Sequence, residues 1–227
     1  MISLAFDFTS DRRSIAIATS TKLLAEVVHA ETRETPAFAL IEKVLTEASV
    51  DRSQVQRLII AIGPGSYTGI RIAISVAQGW HLATGVEVVP VDTFEALRLA
   101  ATREARFRTP WTFAVDAQRN EFATRTWTGS HWETPVKLLE ASRLVEMLAN
   151  GQVLLGPELG RWFRGLGDSH TGGASAEMCE LYSSARDSFN AAVGVNPVSP
   201  ELLTPIYLRK VEFVKSIPSR DLSGITV

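Results

Sequence analysis

Two places in the chain bring together residue types that can handle phosphate or a metal. Asp7 closes an apolar run and is followed by Thr9 and Ser10 in turn-forming sequence. A carboxylate at a strand end can orient a hydrated magnesium ion while turn amides hold a phosphate. The same three residues are also ordinary turn formers that bond to their own backbone, and no lysine, glutamate or glutamine stands beside them in an obvious catalytic role. The second place is Gly63-Pro64-Gly65-Ser66-Tyr67-Thr68-Gly69, which opens an apolar helical stretch. Glycines before a helix expose N–H groups at the positive end of its dipole, where anions bind. A Walker loop, however, needs lysine and then serine or threonine after its last glycine, where this chain has Gly69-Ile70-Arg71. A hydrolase elbow needs glycine two residues before the serine, where Ser66 has Pro64. Neither motif fits, and the alternative is a tight strand-to-helix crossover in which glycines let two backbones approach.

Other chemistries find less support. His29, His81, His131 and His170 are scattered, and no pair has the spacing that puts two metal ligands on one helical face. Asp116 ends a second apolar run without hydroxyl residues after it. The 23 basic and 25 acidic residues leave a formal charge of −2, which creates no overall field for nucleic acid or anionic membrane. Arg103, Arg106, Arg108, Arg161, Arg164, Arg209 and Lys210 are candidates for local RNA contact, and scattered solvated charge explains them equally well. Cys179 is the sole cysteine, so an internal disulfide is excluded and a reduced, cytoplasmic setting is expected. The N-terminus reaches Asp7 too early for a signal peptide's apolar core. Ile70 to Ala83 is shorter than the ~20 residues that span a bilayer, so no membrane is expected.

The elements that must position these residues are legible from patterning. Ser3–Phe8 and Ser14–Thr19 form a hairpin, Leu23–His29 adds a strand, and Pro36–Ala48 is an amphipathic helix with proline at its first position. Leu58–Ile62 has no polar break, as a strand covered on both faces should not. Ile70–Ala83 is apolar or small around most of its circumference. Val86–Val91 reads as a strand, and Thr93–Arg103 as a helix capped by Thr93. After a reset near 105–110, Trp111–Asp116 and Glu121–Trp127 repeat the opening hairpin, with Phe113-Ala114-Val115-Asp116 matching Leu4-Ala5-Phe6-Asp7. Ser142–Asn150 is predicted helical, Val153–Leu155 a strand, Ser175–Ala185 a helix after a glycine-bearing segment from Gly165 to Gly173, and Pro197–Val227 mostly extended. The two first-half helices have wide apolar faces, so Phe38, Ile41, Leu45, Ile74, Ala77 and His81 are candidates for apolar surface that needs a partner; consumption within one core is the competing reading.

The run Ile62-Gly63-Pro64-Gly65-Ser66-Tyr67-Thr68-Gly69-Ile70-Arg71-Ile72, continued by Ala77-Gln78-Gly79, closely resembles the hallmark of the TsaB (YeaZ) family. Three further segments agree in order: Ala5-Phe6-Asp7 with Thr9-Ser10, Val115-Asp116-Ala117-Gln118-Arg119-Asn120-Glu121, and Pro205-Ile206-Tyr207-Leu208-Arg209. The resemblance implies an α/β chain with the actin-like ATPase (ASKHA) fold. It would consist of two duplicated lobes, each a mixed sheet flanked by helices, over residues 1–104 and 105–227 with an extended tail. It implies a noncatalytic scaffold subunit for threonylcarbamoyladenosine modification of tRNA next to the anticodon. Such a subunit pairs with the transferase TsaD, is joined by the ATPase TsaE, meets tRNA through the complex, and forms a homodimer in isolation. Family members pair through the first-lobe helices, so the partner-facing set expands to Phe38, Ile41, Leu45, Ile70, Ile74, Ala77, Gln78 and His81. Gly63, Gly65, Ser66, Thr68, Gly69 and Arg71 form the loop motif, and Asp7, Thr9 and Ser10 a vestigial phosphate loop. No cofactor is expected on the isolated chain, with ADP or ATP a possibility at the joint with TsaD. Metal-binding relatives carry two histidines four apart on the first-lobe helix, and Pro36–Ala48 has none. The alternative is an autonomous phosphotransferase of the same fold that binds Mg-ATP at Asp7, Thr9 and Ser10.

Overall fold

A computed structural model describes residues 1–30, 35–133, 135–163 and 177–208 of the 227-residue chain. The opening residues fold as expected into three antiparallel strands, β1 (Ile2–Asp7), β2 (Arg13–Thr19) and β3 (Leu23–His29). β4 (Val55–Ala61) and β5 (Glu87–Val91) then extend the sheet in parallel, giving the order β3-β2-β1-β4-β5. The second half repeats this plan. β6 (Trp111–Asp116), β7 (Glu121–Trp127) and β8 (Lys137–Glu140) are antiparallel. β9 (Val153–Gly156) and β10 (Glu177–Glu180) add in parallel, giving β10-β9-β6-β7-β8. Two identical strand orders make the hairpin repeat a duplication of whole lobes.

Each central strand is covered on both faces, which is why it reads as unbroken apolar sequence. In β1, Leu4 and Phe6 enter one core with α1 (Ala37–Ala48) and α2 (Tyr67–Thr84), while Ala5 faces the other side. That other side is covered by α6 (Ala185–Ala191), which packs on Ala5, Ala16 and Ile59. The second sheet has α4 (Ala141–Ala149) on one face, through Leu144 against Phe122 and Leu154. On its other face, Phe94, Leu97 and Ala101 of α3 (Thr93–Glu104) pack with Phe113 and Leu155. The lobes therefore exchange helices: α3 precedes residue 105 yet serves the second core, and α6 follows it yet serves the first sheet. A cut at 104/105 divides the chain but not the packing.

Several local expectations are corrected. Ser175–Ala185 is not one helix. Met178 and Cys179 pair with Leu154 and Leu155 at the open edge of β9, and α6 starts only after Ser184, whose capping box with Asp187 sets the true helix start. α3 is capped by Asp92, whose side chain accepts the Phe94 N–H at 2.7 Å, rather than by Thr93. Pro36 sits at the N-cap of α1 with ψ of 62°, outside the helix rather than in its first turn. α2 begins three residues earlier than patterning suggested because Ser66 caps it. The described tail is extended apart from a 3-10 turn at Pro200–Leu202; Gly165–Gly173, Arg164, Arg209 and Lys210 lie outside the described residues.

The glycine loop is a close-packing device. A Cβ at Gly65 would lie 2.2 Å from the Thr9 carbonyl oxygen, and one at Gly69 would lie 2.1 Å from that of Phe8. Gly65 also has φ of +152°, outside the ordinary range of other residues. The start of α2 is thus pressed backbone to backbone on the β1–β2 turn. Gly69→Ala is expected to cost about 2–4 kcal/mol, since backbone rather than a flexible side chain must move; urea denaturation of the two proteins measures it.

Candidate functional site

The two hairpin turns, the start of α2 and residues 206–208 line a cleft of about 1210 Å³ between the lobes. Its first wall carries Thr9, Ser10, Ser66, Thr68 and Arg71, and its second Asp116, Arg119, Glu158 and Arg161. Sequence reasoning thus found most of one wall and parts of the other. What it left open is how the side chains are engaged.

Asp7 is 1% exposed, and both its oxygens are occupied. Oδ1 accepts the Thr9 N–H at 3.1 Å and the Thr9 hydroxyl at 2.6 Å, and Oδ2 accepts the Ser183 hydroxyl at 2.6 Å. Ser10 is also buried, and its Oγ bonds the backbone of Arg12 in the same turn. The turn-former reading is therefore the geometry present: Asp7 joins its own turn to the segment before α6 instead of facing the cleft. Among the described residues no group of three or more His, Cys, Asp or Glu side chains could hold a metal ion.

The buried Arg13 was missed. Its guanidinium donates to the Phe8 carbonyl at 3.1 Å, the Ser66 hydroxyl at 3.0 Å and the Thr35 hydroxyl at 3.1 Å, so it ties the β1–β2 turn, the glycine loop and the entry to α1 together. Arg71 stands on α2 with its guanidinium 3.9 Å from the Tyr67 ring centre, and donates to the Tyr207 hydroxyl at 3.0 and 2.8 Å. Its alternating small, apolar and basic neighbours in sequence hold no sign of this pairing with a residue far down the chain.

A second missed cluster links the lobes at the cleft floor. Glu158, with φ of +53°, accepts the Asp11 N–H at 2.6 Å, Arg161 pairs with the Asp11 carboxylate, and Arg12 lies 5.2 Å from the Tyr182 ring centre. Burial raises the Glu158 carboxyl from 4.5 to about 7, with the Asp11 N–H pulling the other way. The desolvated carboxyl favours its neutral form although arginines lie nearby.

The partner-facing candidates divide sharply. Ile41, Leu45, Ile70, Ile74 and Ala77 are buried in the first lobe's own core, which corrects the expectation that they carry spare apolar surface. Periodicity marked them as inward-facing; the sheet they face is their own. His81 is half-buried with Nδ1–H donating to the Val86 carbonyl at 2.7 Å, and Gln78 is exposed but donates to the Pro200 carbonyl at 3.0 Å. Phe38 alone of the set is an exposed apolar residue, 71% accessible, and Leu82, not in the set, is 87% accessible. The outer side of α2 also exposes Thr68, Ser75, Gly79 and Ala83, and Arg71 is its one formally charged side chain.

Paired five-stranded sheets with one strand order, exchanged helices and an interlobe cleft make up a two-lobed, actin-like (ASKHA) fold. The sequence model of the TsaD family, described as tRNA N6-adenosine threonylcarbamoyltransferase, matches residues 29–130. The tRNA threonylcarbamoyladenosine biosynthesis protein TsaB of Haemophilus influenzae is 30% identical over 52% of this chain and 50% of its own length. TsaB of Escherichia coli strain K12 is 24% identical over 80% of this chain and 83% of its own. The chain thus aligns with only half the length of the first of these relatives and most of the second. The structure of YeaZ from Pseudomonas aeruginosa shares the fold, with a TM-score of 0.73 at 23% identity, over 91% of this chain and 99% of that one. The chain is thus similar in sequence to TsaB proteins and has the fold of YeaZ. No described helix is long and apolar enough to cross a membrane.

Glu158 makes a pH prediction. The folded protein holds this proton up to about pH 7 whereas a free glutamate releases it near 4.5, so the native state binds more protons between those values. The associated stability is full below 4.5 and lost as pH rises towards 7. Glu158→Gln keeps an acceptor for Asp11 and removes the titration. It should gain on the wild type by about 2 kcal/mol between acid and alkaline conditions, allowing for screening by water in the cleft. Denaturation curves for both proteins from pH 5 to pH 8 check this, and parallel pH profiles would exclude it.

Proposed function

We propose that the chain is a noncatalytic scaffold subunit in the threonylcarbamoyladenosine modification of tRNA, pairing with a TsaD-type transferase, with a TsaE-type ATPase joining and tRNA engaged through the assembly. In isolation it pairs with a second copy of itself. The cytoplasm is its setting. ADP or ATP belongs at the joint with TsaD rather than on the Asp7 turn. The observation that carries this reading is the state of Asp7: the carboxylate an actin-like phosphotransferase would turn towards ligand is buried and bonded on both oxygens to Thr9 and Ser183. The fold keeps the cleft and redirects that side chain to structure. The names of the relatives supply the pathway.

The outer side of α2 supports the place of pairing. An 18-residue helix on the surface ordinarily carries several charges, and this one has Arg71 alone. Ser75, Gly79 and Ala83 recur every fourth residue on it, so a partner helix can come close. A Cβ at Gly79 would meet no atom within 4 Å, so nothing in this chain requires glycine there. Glycine inside a helix costs about 1 kcal/mol relative to alanine. A partner's backbone is a reason to retain it.

Gly79→Leu therefore separates folding from pairing. Without a clash in the single chain and with better helix propensity, its melting temperature should equal or exceed that of the wild type. Binding to purified TsaD should fall by roughly a hundredfold, as for a central contact in an interface, and tRNA modification reconstituted with this variant should fall with it. Ile74→Glu should instead prevent folding, because it puts a charge in the lobe's own core. Wild-type affinity for TsaD in folded Gly79→Leu would reject the α2 surface. Full modification without the chain would reject the scaffold role.

A further inference from the structure

One set of contacts crosses the cleft floor and turns on a single ionisable side chain. Glu158, at the start of α5 (Leu159–Trp162), accepts the Asp11 N–H of the β1–β2 turn through Oε1 at 2.6 Å. Arg161 of the same short helix pairs with the Asp11 carboxylate. Next to them, the Glu158 N–H donates to the Tyr182 hydroxyl at 3.3 Å, and the Arg12 guanidinium lies 5.2 Å from the Tyr182 ring centre. The first turn of one lobe is thus fastened to α5 of the other, and Glu158 supplies an acceptor in that fastening.

The backbone at Glu158 adds an independent observation. Its φ of +53° lies in the left-handed region, which a residue with a Cβ enters only at a cost that its surroundings must offset. The ionisable groups around its carboxyl are Asp11, Arg12 and Arg13 from the first turn and β2, Arg161 from α5, and Glu180 and Tyr182 from the end of β10 and the segment after it. Asp116 and Arg119 line the same cleft from the second hairpin turn. Loss of water outweighs the arginines and the Asp11 N–H, so the carboxyl keeps its proton up to about 7. Burial pushes the Tyr182 phenol up, away from neutral pH. A glutamate in water releases its proton near 4.5, so the closed arrangement binds the proton more tightly than one in which Glu158 is solvated. Protonation therefore favours the closed arrangement and ionisation the solvated one.

We propose that Glu158 is a proton-operated latch between the two lobes: neutral, it holds the β1–β2 turn against α5, and ionised, it admits water to the cleft floor and lets the lobes part. The carboxyl O–H is the one covalent bond involved, and its proton passes to solvent through the cleft. The Asp7–Ser183 and Arg103–Asp187 contacts lie on the α6 side and hold in both states, so the motion is a swing about the exchanged helices α3 and α6. The interval from 4.5 to about 7 limits the change in the closed-to-open ratio to roughly 300-fold. Screening by water in the cleft brings this down towards roughly tenfold. The latch goes beyond the scaffold reading and requires no partner.

Amide hydrogen exchange of the full chain, followed at the Asp11 N–H by NMR from pH 5 to pH 9, reads the latch in the folded state. Expressed as a protection factor, so that the intrinsic pH dependence of exchange cancels, it should fall by about tenfold in the wild type, with a midpoint near 7. In Glu158→Gln, which keeps the acceptor and cannot ionise, it should stay level. Small-angle X-ray scattering over the same range should show the wild type expanding and Glu158→Gln unchanged. Arg161→Gln removes a cation that favours the ionised carboxyl, so its midpoint should move to higher pH, a shift that loss of a merely structural contact does not produce. Thermal melting confirms that each variant is folded, and the wild-type and Arg161→Gln profiles decide the matter if Glu158→Gln is not. Level protection in the wild type, an equal fall in folded Glu158→Gln, a fall without expansion, or an Arg161→Gln midpoint at or below that of the wild type would each overturn the proposal. None of these outcomes bears on pairing with TsaD.

Discussion

The side chain on which the first lobe turns is Arg13. Its guanidinium is buried, where an ionised group is tolerated only if its donors are met. They are met by Phe8 at the end of the first strand region, by Ser66 at the cap of α2 and by Thr35 before α1. Three segments far apart in the chain are thereby fixed to one point. The close approach of Gly65 and Gly69 to the Phe8–Thr9 backbone then follows, because the loop cannot lift away without stranding the charge. Burial draws the Arg13 pKa below the ordinary arginine value, while Asp11 and Asp7, and Glu158 once it is ionised, act against it.

From that point further links join the first sheet and α3 to the segment that carries α6. Asp7 holds Ser183, the Ser14 hydroxyl accepts the Ala185 N–H at 2.8 Å, and Arg103 pairs with Asp187 at 2.9 Å. On the far side, the Trp132 indole donates to Glu95 at 2.6 Å, tying α3 to the second sheet. The helix exchange and these bonds reinforce each other: α6 can cover Ala5 and Ala16 only because Ser183 and Ala185 are anchored to β1 and β2. Buried and half-buried polar residues are here spent on joining the halves. The first turn, through Asp7, acts as a fastening between the halves.

Much of this was legible from sequence where the signal is local. The two hairpins, the unbroken β4, the helices α1 to α4 and the glycine crossover follow from periodicity, turn chemistry and the failed Walker and elbow spacings. What was not legible is nonlocal. Glu158 meets Asp11 across 147 positions, and Arg71 meets Tyr207 across 136. β10 is a strand because β9 offers an edge, a fact absent from Glu177–Glu180 itself. The misjudged faces of α1 and α2 have the same origin. An apolar stripe states that a helix is buried against something, and Ile41, Leu45, Ile74 and Ala77 are buried against their own sheet. The informative feature was the opposite side of α2, poor in charge and carrying small residues.

That contrast separates what the two faces of α2 can say. A core requires apolar residues on the inward face of α2 whatever the protein does, so Ile70, Ala73, Ile74 and Ala77 say little about role. The outward face is free to be charged, and charge there would favour solubility. Leaving it with Ser75, Gly79, Leu82 and Ala83 forgoes helix propensity at Gly79 and exposes Leu82 to water. Both features are unfavourable for the single chain, and both become favourable when another helix lies along that face, because the glycine then permits approach and the leucine is removed from water. The physical case for a partner therefore rests on what the isolated fold tolerates at a loss.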